Sequence, residues 1–419
     1  MTLPVLWHSN APWACSGYGQ QTKLFAPRIR DLGADVAISA YFGVQGSVLG
    51  YQGMKVYPST GTSYGADILT PHALHHFKNP TQGVEREPCA ELRDGLIITL
   101  MDVWVLDPML FEKCNAACWV PIDHNPAPPR VVEFFRSAPH VVPIAMSEFG
   151  RRELEQQLPG REVLYVPHGV DTQAFEPLDD EGRSEARTAF GVDDEDRFIV
   201  GVVAANQGYP SRKALPELID AFGRFLRTEE GKGALLYLHT ERTGRYQGVN
   251  LEPIIAAARI PRENVRFAAQ YEYLTGGFGA DYMARAYNAM DVLLNPAMGE
   301  GFGVPIIEAQ ACGTPVIVGE NTAQVEIGKV GWHVGGQRIW TAQDSWQTVP
   351  DVEQMVGALR MARSMSYRKR GAAREHALQY DVDHVTRTYW RPALERLAEM
   401  VEQSRMARSF LIPSAPVSS

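Results

Sequence analysis

Glu300-Gly301-Phe302-Gly303-Val304-Pro305-Ile306-Ile307-Glu308 runs directly into Ala309-Gln310-Ala311-Cys312-Gly313-Thr314-Pro315-Val316-Ile317. Ahead of it, Asp291-Val292-Leu293-Leu294 reads as a buried strand; Pro305 to Cys312 reads as a short helix opened by proline, and Pro315 to Val318 as the next strand. Strand, glycine loop, helix and strand in that order make a unit of a parallel α/β sheet. Glycines before a helix let backbone N–H groups approach a ligand, and the helix N-terminus adds partial positive charge, so Gly301 to Gly303 suit a diphosphate. Glu300 falls at the mouth of the loop and Glu308 in the helix, where each can accept hydrogen bonds from sugar hydroxyls. Taken singly, either acid reads equally as a solvated loop residue or a helix-surface residue favoured by the dipole.

The alternation extends outward in both directions. Downstream of residue 190, Phe198 to Ala204, Ala234 to His239 and Val265 to Phe267 read as strands, with helices at Ala214 to Leu226, Leu251 to Ala258 and Tyr282 to Met290. Upstream, Leu3 to His8 is a strand and Gln20 to Leu32 a helix closed by Gly33, with Pro27 implying a kink or a later start. Between them Ser16-Gly17-Tyr18-Gly19 occupies the ligand crevice of an open parallel sheet, although Gly-x-Gly alone is more often just a tight turn. Leu96 to Leu100, Ala116 to Ile122 and Val141 to Met146 are further strands, and Ser147 is a plausible N-cap for the helix after it. The proline-rich run Pro121-Ile122-Asp123-His124-Asn125-Pro126-Ala127-Pro128-Pro129 ends one strand rigidly and sets His124 toward the crevice. From Val382 the pattern is helical, with Trp390, Leu394, Leu397 and Val401 on one face.

A chain of 419 residues with 45% apolar and 21% charged content is expected to form two domains. A net charge of −9 disfavours nucleic acid as a partner, because gripping a phosphate backbone needs a basic surface. No apolar run approaches the ~18 residues of a membrane span, and the N-terminus lacks signal-peptide character, so a cytoplasmic protein is expected; peripheral membrane contact stays open. Five scattered cysteines argue against a disulfide framework, and Cys114-x3-Cys118 lacks zinc spacing. Asp381-x-Asp383 sits at a helix start, where capping explains it, so no metal is expected. The basic run Arg360, Arg363, Arg368, Lys369, Arg370, Arg374 reads as a solvated helix face. Tyr271 and Tyr273 could stack on a base or simply pack. Arg212 and Lys213, after the first strand of the second half, are natural partners for a diphosphate leaving group.

The Glu-Gly-Phe-Gly-Val-Pro-x-x-Glu-Ala string, with Ala-Cys-Gly-x-Pro-Val behind it, resembles the E-x7-E region of retaining glycosyltransferases of the group 1, or family 4, type, which have the GT-B architecture. His168-Gly169-Val170-Asp171 resembles their interdomain Asn-Gly-Val-Asp, with His168 for the usual Asn. Many relatives carry an Arg upstream of the Lys, where this chain has Asn206 and Gln207. The resemblance implies two Rossmann-like domains facing a cleft: an acceptor-side domain over 1–177, a donor domain over 178–380, and a helix over 381–411 crossing back to the first domain; the end over 412–419 reads as a disordered tail. It implies a nucleotide-sugar donor, with Glu308 on the ribose, Gly301, Phe302 and Gly303 on the diphosphate and sugar, and Glu300 on the sugar hydroxyls. Lys213 with Arg212 would steady the departing diphosphate, Gly17 and Gly19 would close on it, and His124 would contact the donor sugar. No cofactor is implied beyond that co-substrate. The acceptor, whether glycan, lipid, protein or small molecule, is not implied. An isomerase or phosphorylase on the same scaffold, and a silent sugar-nucleotide binder, are the rival readings, the last disfavoured by intact Glu300, Glu308 and Lys213.

Overall fold

The structure is a computed structural model and describes residues 2–194 and 196–409. The expected tail over 412–419, and the end of the 381–411 segment, lie outside the described residues.

The first half is built on an eight-stranded sheet of β1 (Pro4–Asn10), β2 (Asp35–Phe42), β3 (Leu49–Tyr51), β4 (Met54–Tyr57), β5 (Leu96–Leu100), β6 (Asn115–Val120), β7 (Val142–Ala145) and β8 (Leu164–Tyr165), in the order β3-β4-β2-β1-β5-β6-β7-β8. All neighbours are parallel except β3 and β4. Strand β1 is buried throughout, as a central parallel strand covered on both faces must be. The order reverses between β1 and β5, and that switch point opens a crevice at the C-terminal ends of the strands.

The second sheet contains β9 (Ile199–Val203), β10 (Leu235–His239), β11 (Val265–Phe267), β12 (Val292–Leu294), β13 (Val316–Gly319) and β14 (Gly331–Val334), all parallel, in the order β11-β10-β9-β12-β13-β14. That is the strand order of a dinucleotide-binding unit, with its own switch point between β9 and β12. The signature stretch leaves β12, turns, enters the helix Val304–Ala311 and returns as β13. An antiparallel ribbon, β15 (Gly336–Trp340) with β16 (Trp346–Pro350), follows the second sheet; the sequence pattern does not announce it.

The helix Gly17–Asp31 starts earlier than its periodicity predicts and runs through Pro27. The N-caps at Ser147 and Asp381 form as expected: Ser147 accepts from the Gly150 amide, and Asp381 from those of Asp383 and His384. On the long helix Val352–Ala377 the basic run is solvated in part: Arg360, Arg363 and Arg368 are exposed, whereas Lys369, Arg370 and Arg374 are half-buried. Arg360 pairs with Glu230, Arg363 lies over the Phe198 ring and Lys369 over the Trp332 ring. Arg374 donates to the carbonyls of Thr172, Phe175 and Ala311.

The chain passes between the halves twice, and the two passages pair. Val170 N–H donates to the Tyr380 carbonyl and Val382 N–H to the Val170 carbonyl, each at 2.9 Å. Beyond Tyr380 the chain runs through Val382–Val385 and a π-turn at Thr386–Trp390 into the helix Arg391–Ser409. Trp390 is fully buried against Trp119 (ring centroids 5.0 Å), Trp7 (5.6 Å) and Phe25 (5.9 Å), so the terminal segment docks on the first half. Among the described residues no helix is long and apolar enough to cross a membrane.

Candidate active site

Three elements of the second half bring its charged residues together. Ser211-Arg212-Lys213 follows β9, and Ala214 takes a left-handed conformation (φ 52°) before the helix Leu215–Phe225 begins. That turn sends Arg212 and Lys213 back over the C-terminal edge of the sheet, toward the loop that follows β12. Glu300, only 5% exposed, sits there with its backbone N–H donating to Thr322 Oγ1 at 2.9 Å. Lys213 Nζ donates to Glu300 Oε1, and Arg212 lies 3.4 Å from Glu300 Oε2 while also bonding the Gly299 carbonyl.

The first half contributes from the end of β6. Asp123 Oδ2 lies 3.5 Å from Arg212, and His124, 6% exposed, donates from Nδ1 to Asp123 Oδ1 at 2.6 Å. This bond fixes the imidazole tautomer and leaves Nε2 for a substrate. A network thus crosses the cleft from His124 through Asp123 and Arg212 to Glu300 and Lys213.

Burial alone would raise the Glu300 carboxyl, but Lys213 and Arg212 overcome it and hold the group below its ordinary value. For Asp123 burial is again opposed, by the His124 hydrogen bond and by Arg212, and the net shift is downward. Burial lowers the Lys213 ammonium against the pull of Glu300. The same burial acts on Arg212, yet Glu300, Asp123 and Asp102 raise it and keep its charge secure. Two cations and two carboxylates therefore share one desolvated cleft, where hydrogen bonds to charge are strong.

The halves touch at the glycines. A Cβ on Gly299 would stand 2.0 Å from the Asp123 carbonyl oxygen, and one on Gly301 would stand 2.5 Å from Pro121 Cβ. Gly303 holds φ +101° as the residue before the helix, a conformation suited to glycine. The β15–β16 ribbon straps the same junction. Asn125 N–H donates to Trp346 O at 3.1 Å and Trp346 N–H to Asn125 O at 3.3 Å; Ser345 Oγ bonds the Pro126 carbonyl, and Thr348 N–H the Met298 carbonyl.

Four further expected site residues, Phe302, Gly17, Gly19 and Glu308, lie outside the ion-pair network. The Phe302 side chain faces away from the cleft, buried between His168 (5.1 Å) and Tyr380 (5.6 Å), because an apolar ring is held best in the aromatic packing between the halves. Only its backbone can meet a donor. Gly17 and Gly19 are not in an open loop but form the first turn of a helix. Ser16 Oγ accepts from Gly19 N–H at 3.0 Å, and a Cβ on Gly19 would be 2.3 Å from the Ala14 carbonyl oxygen. Glu308, 6% exposed, lies outside the ion-pair network; its Oε2 accepts from Tyr287 OH at 2.8 Å, and burial raises its carboxyl to about 7. Asn206 donates to the loop carbonyls of Glu241 and Val249. Tyr271 is exposed, and the Tyr273 ring packs on His239 at 5.3 Å.

Sequence reasoning did not single out Asp102 and Tyr18. Asp102 lies just past β5, after Met101, at the switch point, with its Oδ2 3.5 Å from Tyr18 OH. Its place just past a buried parallel strand was the available signal. Among the described residues no group of three or more His, Cys, Asp or Glu is arranged to hold a metal.

Residues 198–345 match the family model of group 1 glycosyl transferases. A D-inositol 3-phosphate glycosyltransferase of Geodermatophilus obscurus is 33% identical over 169 residues, covering 38% of this chain and 32% of that protein. A GDP-mannose-dependent monoacylated alpha-(1-6)-phosphatidylinositol monomannoside mannosyltransferase of Corynebacterium glutamicum is 29% identical over 162 residues, 37% of this chain and 38% of that protein. The chain therefore spans about a third of the length of these curated relatives. The crystal structure of a glycosyltransferase from Rickettsia africae superposes with a TM-score of 0.67 at 14% identity, over 96% of this chain and 99% of that one. At that identity the likeness concerns the fold, which is GT-B.

Proposed function

We propose, from the match of residues 198–345 to the group 1 glycosyl transferase family, that this chain moves a sugar from a nucleotide-diphosphate sugar to an acceptor hydroxyl with retention of configuration. The observation that carries this reading is the network joining Lys213, Arg212 and Glu300 to Asp123 and His124 across the cleft. Cleaving the donor's glycosidic bond leaves negative charge on the diphosphate. Lys213 and Arg212 are fixed cations beside the place where that charge develops, and preorganised charge of this kind is worth more than charge that must reorganise. The amides of Gly301 to Gly303 and the N-terminus of Val304–Ala311 supply further positive potential to the phosphates.

Glu300 carries a charge balanced by the two cations, which suits it to accept hydrogen bonds from sugar hydroxyls rather than to attack carbon. Glu308, in the signature helix, would accept from the ribose. His124, held by Asp123, would bond the transferred sugar through Nε2. With no carboxylate left uncompensated as a nucleophile in this network, the acceptor oxygen would approach on the face the diphosphate leaves, giving retention. The contacts at Gly299 and Gly301 and the ribbon strap would exclude water, which would otherwise hydrolyse the donor. Because the two cations face the leaving group, turnover is expected to survive EDTA.

The test is release of nucleoside diphosphate from a panel of nucleotide sugars, with product anomers assigned by NMR. Expected are turnover of at least one donor, a retained anomeric centre, and loss of turnover in Glu300→Ala. Epimerised donor would point to an isomerase, and binding without turnover to a silent binder.

A further inference from the structure

Strand β3 forms the outer edge of the first sheet and pairs, antiparallel, with β4 on one side only. Gln52 (φ 46°) and Gly53 (φ 82°) make the turn between the two strands, the positive-φ pair of a two-residue hairpin. In such a hairpin the residues flanking the turn, Tyr51 and Met54, exchange both backbone hydrogen bonds, so the alternation of the ladder directs the Gly50 N–H and C=O away from β4. Residues 45–50 are all exposed, and a Cβ on Gly50 would meet nothing within 4 Å, so among the described residues the outer side of this edge is open.

Sheet edges are ordinarily guarded by charge or by cover. At the other end of the same sheet, Tyr165 of β8 lies under the Arg151 guanidinium and against the Tyr389 ring, and β11, an edge of the second sheet, carries Arg266. Along β3 neither guard is present among the described residues, and Val36 to Met54 contains no Asp, Glu, Lys or Arg. Of the charged groups that flank the hairpin, Lys55 turns its Nζ to the carbonyls of Asn79 and Pro80, and Arg30, which reaches the Gln52 carbonyl at the turn, is paired with Asp31. Beside the edge the chain exposes Phe42, Val48, Leu49 and Trp13, the last with its ring 6.0 Å from that of Tyr51 and its Nε1 on the Gly43 carbonyl at 2.8 Å.

We propose that β3 pairs antiparallel with β3 of a second copy of this chain, about a two-fold axis at Gly50. The Gly50 N–H of each copy donates to the Gly50 C=O of the other, and Leu49 of each copy faces Tyr51 of the other, so that two eight-stranded sheets become one. A two-fold contact needs a surface complementary to itself. An edge offering one N–H, one C=O and apolar side chains meets that condition, because no like charges on the strand oppose each other across the axis. Elsewhere the net charge of −9 keeps copies apart, and a partner recognised by charge finds nothing to grip on this strand. The apolar patch is on the order of a few hundred Å², short of the roughly 800 Å² per partner of a standard interface, so the dimer is reversible, with a micromolar dissociation constant. The inference does not depend on the transferase reading.

The experiment measures the mass of the full chain in solution by sedimentation from about 1 to 100 µM, a range that brackets a micromolar constant, with amide exchange followed at both ends of the range. The wild-type chain is expected to pass from one copy toward two. Its Gly50 amide should exchange about tenfold more slowly at the higher concentration, while the Tyr51 amide, already bonded to β4, should not respond. Leu49→Lys places a charge at the edge, and Gly50→Pro removes the outward N–H; each is expected to weaken association at least tenfold. A wild-type chain that stays single through the range overturns the proposal, as does a dimer whose Gly50 amide gains no protection or one that Leu49→Lys leaves as tight as before. The wild-type readings decide the matter even if Gly50→Pro fails to fold. A single-copy mass in solution together with binding to neutral phosphatidylcholine vesicles would assign the edge to a lipid surface and overturn the proposal equally.

Discussion

At the scale of the residue, Lys213 and Glu308 show how burial sets a role. Burial lowers the Lys213 ammonium and Glu300 opposes that shift, so the pair acts as a unit rather than as two independent side chains. Lys213→Ala is expected to lower kcat/KM for donor turnover by about 10²–10³, the cost of losing one preorganised charge partner, as read by diphosphate release. Glu308 shifts in the opposite direction from Glu300, because no cation offsets its burial. Its carboxyl titrates at about 7 when folded against an ordinary 4.5, so its contribution to stability is complete below 4.5 and is lost as the pH rises through 7. Glu308→Gln removes that titration. Relative to wild type, the variant should gain about 2–4 °C in melting temperature at pH 8 compared with pH 5, measured by thermal unfolding across pH. A parallel pH dependence in both proteins would show that Glu308 is not the titrating group. The sequence displayed both acids at fixed spacing but not their opposite environments, because only the folded chain decides which acid meets a cation.

At the scale of the element, the glycine loop and the β15–β16 ribbon do different work. The loop was legible in advance, since strand, glycines and proline-led helix are local signals. The ribbon was not, because its strands gain their meaning from Asn125 on the other half. Gly299→Ala would force a methyl group into the Asp123 carbonyl and so push the loop away from the first half. A displacement of about 1 Å at a catalytic junction is expected to reduce kcat/KM roughly 100-fold, with the far-UV dichroism spectrum unchanged. The strap itself predicts that the amides of Asn125 and Trp346 exchange with solvent slowly and at matched rates, as one opening unit. Fast exchange at one amide beside protection at the other would show that the ribbon opens apart from the junction.

At the scale of the whole molecule, the two halves are joined by a paired crossing at Val170 and Asp381 and by the docking of Trp390 among Trp7, Trp119 and Phe25. Trp390→Ala should cost about 3–5 kcal/mol in urea unfolding followed by fluorescence, the usual penalty for emptying a large aromatic site. The sequence by itself determined two Rossmann-like units, loops at the strand ends, and the terminal apolar face of Trp390, Leu394, Leu397 and Val401, all of which are buried. Those features follow from periodicity and from glycine and proline placement, which act over a few neighbouring residues. Only the tertiary structure decided that Phe302 turns into the aromatic packing, that Glu300 lies beneath two cations, and that Asp123 and His124 complete the network. Charge pairing and side-chain direction across a cleft depend on which segments converge in space, and convergence is set by the packing of both sheets rather than by any local pattern.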